Sequence, residues 1–212
     1  MAVHNIEILE VTIRTLCDVR AGKVADGVYL YSQTKDNQGS VLSVARQVIN
    51  GGLAKKVLIT RSIPKCGYPG NSVWEKELTK MGIHHGNLST IEPGVTGGLN
   101  TLIEAEALIK FARMNKYRVI YITAAPFHQL RAFMTSVTAT LEHYPDLCIY
   151  SFNGHPLSWI GTAAHSQGTV SGSRKELIKE ELDRIRKYQK KGDLASDVDV
   201  LKYLDERDER SL

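Results

Sequence analysis

Cysteine is scarce in this chain. Cys17, Cys66 and Cys148 are its only three, far apart and odd in number. That excludes a disulfide framework and leaves no Cys-x-x-Cys pair for metal or redox work; free thiols are expected, two of them buried. No apolar run approaches the ~20 residues that span a bilayer, and no basic segment followed by an apolar stretch stands at the N-terminus. A cytoplasmic protein without a membrane partner is therefore expected. Aromatic residues make up only 7%, and the net charge is only +4. So weak a basic bias, poorly interleaved with aromatics, argues against a nucleic-acid partner. Also missing are the Gly-x-x-x-x-Gly-Lys-Ser/Thr phosphate loop, Gly-x-Gly-x-x-Gly, the Gly-x-Ser-x-Gly elbow and His-Glu-x-x-His. These absences remove P-loop hydrolysis, standard dinucleotide binding and esterase chemistry. No metal site is expected, because His84 and His85 are adjacent and point apart in most backbone states.

What is present is an alternation. β-rich runs at Gly27–Ser32, Lys56–Arg61, Ser89–Glu92, Arg118–Ala124 and Leu147–Phe152 alternate with helical patterns at Gly39–Asn50, Asn71–Met81, Leu99–Asn115 and Phe127–Glu142. Three of the runs (VYLY, VLIT, VIYIT) are nearly continuous in apolar or β-branched residues, as strands covered on both faces are. Asn50-Gly51-Gly52 and Gly82 stand where left-handed helix caps are expected. The order predicts an α/β fold: a doubly wound, mostly parallel five-stranded sheet, Rossmann-like, with right-handed crossovers. Ile6, Leu9, Ile13 and Leu16 predict an amphipathic N-terminal helix.

Ser173-x-x-Glu176 is a capping box opening a helix with an apolar stripe at Ile178, Leu182 and Ile185. Ser196 caps one more helix. Residues 174–212 hold 11 basic and 11 acidic residues, leaving 16 against 12 in residues 1–173. The charges of the last section are expected to form a solvated face. The organisation expected is an α/β ligand-binding domain over residues 1–172, with charged C-terminal helices over 173–212.

In open parallel sheets, ligands bind beyond the carboxyl ends of the strands. Five loops qualify here: Gln33–Gln38, Ser62–Gly70, Pro93–Gly98, Ala125–His128 and Asn153–His155. The most informative segment follows the fourth strand, where Pro126 opens a helix and His128 and Arg131 fall on one face. An arginine in a first turn opposes the helix dipole, and a bound anion would resolve the conflict. His128 is then a candidate general acid or base, since its ordinary pKa lies near neutrality. Gly97 and Gly98 permit close backbone approach, and Asn100 or Thr101 caps a long helix; Thr101-x-x-Glu104 reads as a capping box. Gln33 borders the first loop, and Asp36 within it is a candidate catalytic carboxylate. Asn71 and Glu75, one turn apart, face the same area as a ligand contact and a second catalytic candidate, and Tyr68 is placed to stack on a base. His155 and His165 take no role.

Asn100-Thr101, a long helix, a strand, and then His128-x-x-Arg131-Ala132 resemble the YdcF/SanA-like bacterial family. Asp26 and the stretch Ala45–Gly52 match it in spacing. The likeness covers roughly residues 24–160 and is specific in its second half. Ser32-Gln33 and Thr60-Arg61-Ser62 stand where that family has glycine-rich turns. The resemblance implies a Rossmann-like fold, ligand roles for Asn100, Thr101, His128 and Arg131, and S-adenosylmethionine or a nucleotide as candidate ligand. The functional expectation is a small-molecule enzyme, a transferase or hydrolase, acting on an anionic or nucleotide-like ligand. The alternative is a metabolite-binding sensor signalling through the C-terminal helices. A homo-oligomer is left open.

Overall fold

The computed structural model describes residues 3–19, 21–65, 67–94, 100–165 and 170–210. Strands β1 (Gly27–Leu30), β2 (Val57–Thr60), β3 (Leu88–Ile91), β4 (Val119–Thr123) and β5 (Cys148–Ser151) form one sheet in the order β3-β2-β1-β4-β5. Every pairing in it is parallel. The expected doubly wound α/β architecture is the one the chain adopts.

The continuous apolar runs explain themselves once both faces are covered. Successive residues of a strand point to opposite sides. Val28, Leu30, Val57, Ile59, Val119 and Tyr121 enter one core, shared with α2 (Gln38–Asn50) and α3 (Asn71–Lys80). Tyr29, Tyr31, Leu58, Ile120 and Ile122 enter the other, beneath α4 (Thr101–Met114) and α5 (Pro126–His143). Gly52 and Gly82 end their helices with φ of +64° and +89°, the left-handed geometry that glycine tolerates.

Chain order now locates the crevice. From β1 the chain winds outward through β2 to β3; it then crosses over by α4 to β4 and winds the other way to β5. Neighbouring β1 and β4 therefore send their loops in opposite directions, leaving an opening between them at the carboxyl edge.

The expected N-terminal helix forms as α1 (Val3–Leu16); its stripe Ile6-Leu9-Ile13-Leu16 faces away from the body, which takes Val11 and Thr15. Three expectations are corrected. Neither described cysteine is buried: Cys17 is exposed and Cys148 half-buried, while Cys66 lies outside the described residues. An antiparallel hairpin, β6 (Thr162–His165) and β7 (Val170–Ser173), stands where no strand is expected; its β6 residues TAAH carry too little apolar alternation to announce a strand. Finally, the last two helices, α6 (Arg174–Lys191) and α7 (Asp197–Glu209), are not merely a solvated face. Ile185, Leu194, Val200, Tyr203 and Leu204 join the core on the α4–α5 side, and the charged Arg174, Glu181 and Arg207 are buried.

α7 also closes the exposed edge of β5. The Tyr203 hydroxyl donates to the Leu147 carbonyl at 2.7 Å and accepts from the Ile149 amide at 2.8 Å. Arg207 donates to the Ile149 carbonyl at 2.9 Å and grips Asp18 through both terminal nitrogens at 2.8 Å. Asp18 in turn accepts from the Ser151 amide. Side chains thus satisfy backbone groups that would otherwise template another strand. Arg207→Ala should cost about 3–5 kcal/mol, since it leaves a buried carboxylate unpaired, and Tyr203→Phe about 1–3 kcal/mol. Urea unfolding checks this; losses under about 0.5 kcal/mol in both variants would contradict the edge-closing role.

Candidate functional site

A cavity of about 440 Å³ opens at the β1/β4 switch point, within the usual range for small-molecule sites. Ser32, Gln33 and Thr34 reach it from the end of β1, and His128 and Arg131 from the first turns of α5. Asn100, Thr101 and Glu104 come from the start of α4, while His165, Arg184 and Asp193 come from the C-terminal part.

Local chemistry places each group. Pro126 opens α5, where its missing N–H costs nothing. Buried Gln129 ties that turn to the sheet, accepting from the Ala124 amide at 2.6 Å and donating to the Ile122 carbonyl at 2.8 Å. His128 and Arg131 are thereby aimed over the end of β4. Asn100 caps α4, its side chain accepting from the Ile103 amide at 3.0 Å.

Behind the cavity wall lies a carboxylate that no sequence pattern singles out. Glu181 of α6 is buried and takes Arg131 Nε at 2.6 Å and a terminal Arg131 nitrogen at 3.2 Å. His165 Nε2 donates to Oε1, the oxygen that also takes the terminal Arg131 nitrogen, at 2.7 Å, since an ionised carboxylate only accepts. The remaining Arg131 nitrogen donates to Thr101 Oγ1 at 2.8 Å. Burial alone would raise the Glu181 pKa, but the Arg131 charge and the His165 hydrogen bond outweigh it and hold the carboxyl well below its ordinary range. The dipole conflict at Arg131 is thus resolved from within the protein rather than by a ligand.

His128 is buried, and its environment differs from the one expected. Gln33 Nε2 lies 3.3 Å from His128 Nδ1, so Nδ1 accepts and the ring proton sits on Nε2. That Nε2 has no hydrogen-bond partner among the described residues and stands 4.0 Å from Glu181 Oε2. Burial, reinforced by the nearby Arg131 charge, drives the His128 pKa well below 6.5. The imidazole is therefore neutral at working pH, a hydrogen-bond donor rather than a group that titrates there. The titrating role falls to Glu104, whose pKa burial raises to about 7 against hydrogen bonds that lower it. The Glu104 carboxylate accepts from the Ser32 amide and the Tyr29 hydroxyl, each at 2.9 Å. The expected Thr101–Glu104 capping box does not form, because Glu104 turns inward to the end of β1.

Among the other candidates, Asp36 is exposed and accepts from the Ala164 amide at 3.1 Å, fastening the hairpin to the first loop. Asn71 accepts from the Ser62 amide and donates to Glu75, which also accepts from Thr90. All three are structural ties that do not line the cavity, so the catalytic expectation for Asp36 and Glu75 loses its geometric basis. Gly97 and Gly98 lie outside the described residues. Tyr68 lines the cavity but packs edge-on against Trp74 with ring centres 5.2 Å apart. The fifth loop turns away: His155 pairs with Gln47 and Asn153 with the Leu16 carbonyl.

Among the described residues no His, Cys, Asp or Glu cluster is arranged to hold a metal ion. None of their helices is long and apolar enough to cross a membrane. The fold and site define an α/β protein with a polar cavity at a topological switch point. No protein-family model, curated protein or solved structure matches the chain.

The two buried carboxyls make opposite pH predictions. Glu181, with its pKa lowered, contributes stability that is present above its unfolded value near 4.5 and lost as pH falls below it. Wild type should exceed Glu181→Gln by about 3–5 kcal/mol at pH 7, the gap shrinking toward pH 3. Glu104, with its pKa raised, favours folding fully below about 4.5 and loses that contribution as pH rises through about 7. Glu104→Gln should therefore gain on wild type between pH 5 and 8. Thermal unfolding across pH measures both, and parallel curves would contradict the assignment.

Proposed function

We propose that this protein is an enzyme acting on a small anionic or nucleotide-like molecule held in the switch-point cavity. His128 carries the reading: a buried Nε2–H in the cavity wall, with no acceptor among the described residues. Native structures rarely leave such a donor unpaired, and a ligand oxygen would pair it.

Each group then has a task. The neutral His128 donor stabilises charge developing on a substrate oxygen. Glu104, able to hold or release a proton near neutrality, is the general acid or base. Gln33 sets the His128 tautomer, and Glu181 with Arg131 and Thr101 holds the wall rigid. Because Arg131 is paired at hydrogen-bond distance, Lys65 at the cavity rim and Arg184, held more loosely at 3.7 Å from Glu181, are the cations that meet the ligand's charge. A phosphate matches these better than S-adenosylmethionine, whose single carboxylate is offset by an ammonium and a sulfonium. The reaction classes that fit are group transfer and hydrolysis. Kinship with the YdcF/SanA-like proteins and a cytoplasmic location belong to the same proposal; Asn100, Thr101, His128 and Arg131, the residues of the resemblance, all line the one cavity.

A non-catalytic sensor is the second reading, favoured by one observation. Glu181, Arg184 and Tyr188 at or beside the cavity all belong to α6, so a ligand there would act directly on that helix. Thermal shift with phosphate, AMP and S-adenosylmethionine, followed by NMR detection of products, separates the readings. An enzyme shows stabilisation with turnover, and Glu104→Gln keeps binding while turnover falls about 100-fold or more. Stabilisation without turnover means a sensor. Failure of every anion to stabilise the protein, with Arg184→Gln behaving as wild type, would overturn the anionic-ligand reading.

A further inference from the structure

We propose that α1 is a self-association face, through which two copies of this chain pair along Ile6, Leu9, Ile13 and Leu16. This inference is independent of the cavity and its ligand. The four side chains are 65%, 57%, 54% and 38% exposed, and Val19 just beyond the helix is 60% exposed. The helix has no freedom to roll and hide them. Val11 and Thr15 on its opposite side are fully buried, and Arg14 is pinned to α7 through Asp205 at 2.6 Å and Asp208 at 3.0 Å. α1 is thus docked with polar Thr15 inward and its most apolar stripe outward, the reverse of a helix that serves only its own core.

The spacing of the stripe identifies the occupant. Positions 6, 9, 13 and 16 alternate in steps of three, four and three, the a and d spacing over which two short helices can pair. Both a positions are isoleucine and both d positions leucine, the combination that favours two strands. A stripe of this kind is its own complement about a two-fold axis. The exposed apolar side chains amount to roughly 500 Å² per copy, or about 1,000 Å² in a pair, the lower bound for a specific interface. A weak, reversible dimer follows. A membrane surface fits less well: Glu7 and Glu10 outnumber Arg14 on α1, whereas interfacial helices carry lysine and arginine.

Sedimentation velocity of the full chain from about 1 to 200 µM tests this, with dissociation expected in the micromolar range. The double variant Leu9→Glu/Ile13→Glu should weaken pairing at least about tenfold, while circular dichroism and thermal midpoint remain those of wild type. Both positions are exposed, so folding is not at stake. A wild type that stays monomeric throughout, or a variant that dimerises equally well, would overturn the proposal. So would flotation of monomeric wild type, but not of the variant, with phosphatidylcholine/phosphatidylglycerol vesicles.

Discussion

A carboxylate taken out of water is unfavourable by several kcal/mol unless its charge and lone pairs are met, and Glu181 is such a group. Its partners come from three directions: Arg131 on α5, His165 on β6 and, through Arg131, Thr101 at the start of α4. One buried charge therefore fixes how α4, α5, the hairpin and α6 sit around the carboxyl edge of the sheet. Without it, Arg131 would be the buried charge in need of a partner, and the polar seating of α6 would rest on Arg174, which donates to the Asn37 side chain and the Asp36 carbonyl.

The same pairing decides the electrostatics left for a ligand. Arg131 is neutralised within the wall, and Arg184 shares the same carboxylate, its Nε 3.7 Å from Glu181, so the least compensated cation at the cavity is Lys65. Three ionisable groups in one pocket then take three different states near neutrality. Glu181 is ionised because its charge is met. His128 is neutral because burial and Arg131 oppose its cation. Glu104 sits between, since burial outweighs the two donors on its carboxylate. Separate environments pushing titratable groups apart are what acid–base chemistry at neutral pH requires.

The sheet was legible because burial on both faces forces long apolar, β-branched runs, and its five strands emerge within a residue or two of those runs. His128, Arg131, Asn100, Thr101 and Gln33 were legible because strand ends are where an open sheet admits ligands. Glu181 and Glu104 were not. Glu181 lies in a helix dense in charges of both signs, where one buried acid looks like its neighbours Glu180 and Asp183. Glu104 matches a capping box, a local explanation that hid its long-range bond to Ser32. His165 lies in a strand too short and too mixed to be recognised. What sequence patterns miss here is partnership between residues 16, 50 and 72 positions apart, which only the fold creates.

The account turns on which group in the cavity titrates. Carbon-13 and nitrogen-15 NMR of the Glu104 carboxyl and the His128 ring, followed across pH, observes both at once. The account requires Glu104 to titrate near pH 7 while His128 stays neutral with its proton on Nε2. A Glu104 midpoint at an ordinary carboxylate value, together with a His128 ring that charges near 6.5, would contradict it.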